Sequence, residues 1–320
     1  MSETVTRPPA PDFAAITPEE LRAYRDAENR FRASEGAREM LGHPDPGATI
    51  DWQQVPLPGR ELPVRVYRPV GARAGHRAGL PLVVHVHGSG FVGTATQCDW
   101  TNSHLAVRLP AVVVSVEHRL LDFDTPLSAA ADDGWDVLEH VVRHASRWGV
   151  DAGRAAVFGE SCGALISALT AIRARDAGLR LEAQVLVNPV ADTTATMLDY
   201  PSVTEYAHTP TLSVPQLELV RRLGVPTGAD DRAVSPLHAG DLSGLAPALV
   251  VVPTRDPVAD HGRRYAERLR AAGTPARLAE YHGAGHAFLT LPGVEPQARA
   301  AQAEILEFLR AALVPGGEAF

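Results

Sequence analysis

Cysteine is almost missing from this sequence. Cys98 and Cys162 are the only two, too few for a disulfide framework, which excludes the small stapled scaffolds. Basic runs are missing too. The formal net charge is −8, which argues against nucleic acid as a partner, and no polybasic stretch suggests an anionic membrane surface. No apolar run exceeds strand size; "AVVVSV" at 111–116 is typical, so no helix is expected to span a membrane. The opening "MSETVTRPPAPDFAAITPEE" lacks the apolar stretch of a secretory signal. A soluble, cytoplasmic protein is the expectation.

What is present is enough apolar residue for a large core, 45% of 320 residues. That length suits an α/β fold with one core and a lid. "LPLVVHVHG" (80–88), "AVVVSVEH" (111–118), "AAVFGE" (155–160), "AQVLVNP" (183–189), "PALVVVP" (247–253) and "ARLAEYH" (276–282) are dense strand-like runs. "ELPVRVYRP" (61–69) alternates apolar and polar residues, as a half-exposed antiparallel strand does. Helical stretches lie between them, at 128–147, 161–177, 261–272 and 295–313. Strands alternating with helices predict a mostly parallel central sheet with helices on both faces. Thr17-Pro18-Glu19-Glu20 offers an N-cap, a first-turn proline and a capping-box glutamate, so a helix should run from Thr17 to about Leu41. The expected organisation is an N-terminal arm and cap helix at 1–45, a core at 46–190, a cap insertion at 191–240 and the rest of the core at 241–320.

Gly159-Glu160-Ser161-Cys162-Gly163 sits where a strand turns abruptly into a helix. The glycines can simply relieve a tight turn. Alternatively the turn strains Ser161 and exposes its hydroxyl as a nucleophile. Acyl transfer also needs a base, an acid that orients it, and donors for the oxyanion. Each is found at a strand's carboxyl end. "HGSGF" follows 80–86, "TRDPVAD" with Asp256 and Asp260 follows 247–253, and "HGAGHAF" with His282 and His286 follows 276–281. His85 and His87, two apart on a strand, also allow a zinc reading, but no matching carboxylates accompany them. Cys162 can be a reactive helix-N-terminal thiol or a packing residue. Glu117 and Arg119 read as a structural pair beneath the site.

Taken together, "HGSGF", "GESCGA", "DPVAD" and "GAGHAF" resemble the motifs of the hormone-sensitive-lipase-like (bacterial family IV) esterases of the α/β-hydrolase fold. The resemblance covers roughly residues 60–313. It implies an α/β-hydrolase fold with a helical cap, and hydrolysis of short-to-medium acyl carboxylic esters through an acyl-enzyme. By matching position it implies Ser161 as nucleophile, His286 as base and Asp256 as the acid, leaving Asp260 to cap the next helix. The backbone N–H groups of Gly88, Ser89 and Cys162 match the oxyanion hole. Phe91, Tyr206 and Leu212 are candidate pocket residues. No cofactor and no metal are implied, the partner is a small acyl ester, and homodimers are common among chains of this kind. Ser89 and Cys162 stand where the family has glycine and alanine, and Glu160 where it has aspartate. The same fold also allows deacetylation of an amine or an elimination. A non-catalytic small-molecule binder is the remaining alternative, which retention of all three triad residues opposes.

Overall fold

The computed structural model describes residues 5–71 and 79–314. Thr17 opens the first helix as the sequence predicts. Its hydroxyl accepts the Glu20 N–H at 3.2 Å, and the Glu20 carboxylate accepts the Thr17 N–H at 2.9 Å. This reciprocal cap precedes α1 (Pro18–Arg32). The helix does not run on to Leu41. Ser34 caps a second helix, α2 (Glu35–Leu41), by accepting the Ala37 N–H at 3.3 Å. Serine satisfies orphan N–H groups better than it fills a helix interior, so it splits the segment.

The sheet begins with an antiparallel hairpin, β1 (Ala48–Leu57) and β2 (Arg60–Pro69). The alternation at 61–69 predicts β2 only. β1 gives no such signal, because it is the sheet's outermost strand and fully buries only Val55. The chain continues through β3 (Leu80–Val86), α3 (Asp99–Arg108), β4 (Val112–Val116), α4 (Leu127–Arg143) and α5 (Ala145–Trp148). Then come β5 (Val150–Glu160), α6 (Cys162–Asp176), β6 (Ala183–Val187), α7 (Pro201–Glu205) and α8 (Val214–Gly224). β7 (Ala248–Arg255), α9 (Ala259–Ala271), β8 (Ala276–Gly285) and α10 (Ala298–Leu313) complete it. α3 is the second unexpected element. It buries Thr101, Asn102 and Ser103 among Trp100, Leu105 and Ala106, so polar residues interrupt the apolar stripe that would have revealed it.

The strand order is β1-β2-β4-β3-β5-β6-β7-β8. β3 to β8 run parallel, and the β1–β2 hairpin joins β4 antiparallel. Alternate residues of the central strands feed opposite faces. Leu82, Val84, Val114 and Val157 pack with Leu138 of α4 and Ile166 of α6. Val83, Val113, Phe158 and Val185 pack with Leu105 of α3 and Leu309 of α10. Both faces are covered, which is why these runs are apolar throughout.

Residues 191–240 leave the sheet after β6 and carry α7 and α8. Asp192, fully buried, anchors their start. It accepts the Thr194 hydroxyl (2.7 Å), the Thr196 hydroxyl (2.8 Å) and the Tyr200 hydroxyl (2.7 Å). Burial works against its charge, but these bonds outweigh it and hold the carboxyl well below the usual range. The N-terminal segment joins the same layer. Arg222 of α8 donates to the carbonyls of Phe13 (3.0 Å) and Ala14 (2.6 Å). The Phe13 ring packs on Tyr24 at 5.7 Å and on Phe91 at 5.6 Å. This layer therefore sits against the loop that leaves β3.

Candidate active site

The two glycines of the pentapeptide are required by space. A Cβ on Gly159 would sit on the Gly163 carbonyl, and one on Gly163 would sit on the carbonyls of Val86 and His87. Neither adopts a left-handed backbone. They let β5, the turn and the end of β3 approach one another. Ser161 itself is the strained residue, with φ 56° and ψ −121° at the head of α6. Its N–H donates to the Val187 carbonyl at 2.9 Å, which ties the turn to the neighbouring strand.

The strain lifts the Ser161 hydroxyl to His286. Ser161 Oγ lies 2.8 Å from His286 Nε2, and His286 Nδ1 lies 2.8 Å from Asp256 Oδ2. All three side chains are buried, Asp256 completely. The other oxygen, Asp256 Oδ1, accepts the Val258 N–H at 2.9 Å, so the carboxylate cannot swing away. A carboxylate facing Nδ1 fixes the proton there and leaves Nε2 free to accept. Asp260 is elsewhere. It is not the N-cap of α9 but lies inside its first turn, where it accepts the Ser202 N–H at 3.0 Å and pairs with Arg263 at 2.9 Å. His282 is on the surface.

Ser89 has φ 98°, a backbone that favours glycine. The preceding carbonyl, Gly88 O, is held twice, by His87 Nδ1 at 3.0 Å and by Gln97 Nε2 at 3.0 Å. The Ser89 hydroxyl accepts the Val92 N–H at 3.3 Å and so turns toward its own loop. Cys162 is the first residue of α6, so its N–H has no partner within the helix and lies at the positive end of the dipole. Burial pushes its thiol up to about 12, which makes it a packing residue and not a nucleophile.

The N-terminal helix holds this loop. Arg25, Asn29 and Arg32 recur at i, i+4 and i+7, on one face of α1. Arg25 donates to the carbonyls of Phe91 (2.8 Å) and Leu121 (2.7 Å). Asn29 accepts the Gly93 N–H at 2.7 Å, and Arg32 donates to Gln97 at 2.8 Å. Sequence reasoning missed this polar stripe, although its spacing was there to be read.

Three neighbouring histidines are structural in their bonding. His85 meets Ser115 at 2.9 Å and Asn102 at 3.1 Å, and the rings of His87 and His118 stack at 4.3 Å. Burial pulls His85 down to about 3 and His87 and His118 to about 4, so all are neutral near pH 7. Glu117 and Arg119 do not pair: Glu117 accepts the Ala95 N–H at 2.7 Å, whereas Arg119 binds Asp133 at 2.8 Å. Glu160, beneath the serine, accepts the Thr290 hydroxyl, and burial raises its carboxyl. Asn188 was also missed. It follows β6 with φ 36°, is buried, and its amide nitrogen stands 3.5 Å from His286 Nε2.

A cavity opens over Ser161 and His286. Phe91 and Leu212 line it, with Leu217 and Val220 of α8. Tyr206 does not; it stands outside the lining, near Glu205. Pattern alone does not fix where a cap aromatic faces, which is why that candidate fails.

A family model described as the alpha/beta hydrolase fold matches residues 83–290. The carboxylesterase NlhH of Mycobacterium tuberculosis is 37% identical over 267 residues, 79% of each chain. The arylesterase of Saccharolobus solfataricus is 31% identical over 281 residues, 86% of this chain and 88% of its own. The hyperthermophilic esterase from the archaeon Pyrobaculum calidifontis superposes with a TM-score of 0.81 at 31% identity, over 91% of this chain and 93% of its own.

Proposed function

The chain belongs to the α/β-hydrolase family, in its hormone-sensitive-lipase-like branch, and is a carboxylic ester hydrolase; from that premise we propose that Ser161, His286 and Asp256 carry the reaction. Ser161 Oγ attacks the ester carbonyl while His286 Nε2 takes its proton. Negative charge then grows on the carbonyl oxygen, where the N–H groups of Gly88, Ser89 and Cys162 receive it. His286 returns the proton to the leaving alcohol and an acyl-serine remains. A water, deprotonated by His286, attacks the acyl-serine; the bond from the acyl carbon to Ser161 Oγ breaks, His286 returns the proton to Oγ, and the acid leaves. Asp256 holds the reactive tautomer and stabilises the imidazolium.

The observation that carries this reading is the relay of two 2.8 Å contacts, Ser161–His286 and His286–Asp256, built on a strained serine. Its test is a fluorophosphonate probe with the adduct mapped by mass spectrometry. Labelling of Ser161, with ester hydrolysis lost in Ser161→Ala, is the expected result; an adduct on another residue overturns it.

Residues 46–190 and 241–320 would supply this chemistry, while 1–45 and 191–240 would shape the pocket for short-to-medium acyl groups. The apolar wall of Phe91, Leu212, Leu217 and Val220 supports that division. Two further proposals complete the reading. The buried, unpaired Cys98 and Cys162 fit a reducing, cytoplasmic setting. A homodimer through β8 fits the sheet order, since β8 is an edge strand.

A further inference from the structure

The catalytic cavity has two unlike walls. One is the apolar wall described above. The other carries Arg7, Arg32, Gln97 and Thr290. On that side an adjoining groove continues past Ala287 and Leu291, and Arg7 and Arg32 line it as well.

Arg7 and Arg32 share a single carboxylate, Glu28. Arg7 meets it at 3.2 Å through both Nε and Nη2, and Arg32 Nε meets it at 2.9 Å. Glu28 is 1% exposed, whereas the Arg7 and Arg32 side chains are 50% and 23% exposed. Both carboxylates beside these arginines are buried, Glu28 at 1% exposure and Glu160 at 2%, and Glu160 accepts the Thr290 hydroxyl. The charged groups of this wall that a ligand can reach are therefore the guanidiniums. A guanidinium has five N–H donors, and the bonds to Glu28 and Gln97 take two from each arginine. Donors remain on both, at a concave, partly desolvated wall where charge acts more strongly than in open water.

We infer that this esterase takes esters carrying a carboxylate, seated so that the charged arm passes Arg7 and Arg32 while the other arm lies on the apolar wall. A carboxylate matches the guanidinium fork, accepts two N–H groups at once and gains more than a neutral acceptor does. The inference rests on the proposed serine mechanism and adds the substrate class.

The test uses two ester pairs, followed by product analysis: monoethyl glutarate against diethyl glutarate, and O-butyrylglycolate against its methyl ester. In one pair at least, the charged ester should have the higher kcat/KM, by about tenfold at low salt. That ratio should fall as salt is raised. Arg7→Gln and Arg32→Gln should each lower it, and Arg7→Glu should bring it below one. If the neutral ester is faster in both pairs of the unaltered enzyme, the inference is overturned, whether or not the variants fold. Neutral-ester hydrolysis that disappears in Ser161→Ala would in that case leave the triad standing. If no ester, charged or neutral, is cleaved, the triad reading fails first and this inference with it.

Discussion

Gln97 donates its side-chain amide to the Gly88 carbonyl over 3.0 Å. That carbonyl and the Ser89 N–H belong to one planar peptide and point in opposite directions. Fixing the oxygen therefore aims the N–H. Gln97→Leu leaves His87 as the remaining holder of that carbonyl and frees the peptide to rotate. The expected result is a kcat lowered by about 10–100-fold with KM little changed, somewhat less than the 10²–10³ for losing a donor outright. Steady-state kinetics on a short acyl ester checks it. A rise in KM at constant kcat would mean that Gln97 shapes the pocket instead.

The two acids of the DPVAD loop should separate cleanly. Asp256→Asn presents His286 in the wrong tautomer and should cost about 10²–10⁴ in kcat. Asp260→Asn removes a partner from Arg263 and the Ser202 N–H, groups that make no bond to the relay. Its effect should appear in thermal stability and not in kcat. The opposite ranking would hand the acid's role to Asp260.

Ser89→Gly should stabilise the protein. A φ of 98° is unfavourable for serine, and relieving it is worth about 1 kcal/mol. The lost contact to Val92 is long, at 3.3 Å, and the extra freedom of glycine in the unfolded chain offsets part of the gain. Because the hydroxyl faces Val92, acetyl-ester kcat should hold, while butyryl and octanoyl esters gain. A uniform drop on every chain length would show that the hydroxyl serves the oxyanion.

Acid should unfold this protein earlier than its carboxylates require. His85, His87 and His118 are depressed from 6.5 to about 3 or 4. The unfolded chain binds protons there that the folded chain refuses, so stability falls as pH drops below 6.5, falls less steeply beneath about 4 and levels off beneath about 3. Each such group contributes a slope of about 1.4 kcal/mol per pH unit inside that window. Tm measured from pH 7 to pH 4.5 should decline steadily. A flat profile would mean that these imidazoles charge freely in the folded protein.

The sequence was most legible where one local pattern decides the structure. The central strands announce themselves because both faces are buried, and the triad because each member closes a strand. β1 and α3 were illegible for opposite reasons. β1 buries almost nothing, and α3 breaks its buried apolar residues with Thr101, Asn102 and Ser103. Around the site, Ser161, Asp256 and His286 were nameable from spacing, whereas Gln97 and Asn188 act through contacts across 9 and 98 positions of chain. No short motif encodes such a contact. Asp192 likewise looks like any loop aspartate until three hydroxyls close around it.

The stripe of Arg25, Asn29 and Arg32 separates what folds from what works. Of the apolar residues of α1 only Leu21 is fully buried in the core it shares with the sheet, so replacing the three polar residues of the stripe should leave a folded body whose loop after β3 has lost its outer scaffold. Grafting another esterase's amino-terminal segment, a natural way to borrow its selectivity, carries the same liability. The graft would import a foreign grip on the loop beside the nucleophile. Turnover would change along with preference, and the two could be uncoupled only by transplanting those three positions as a set.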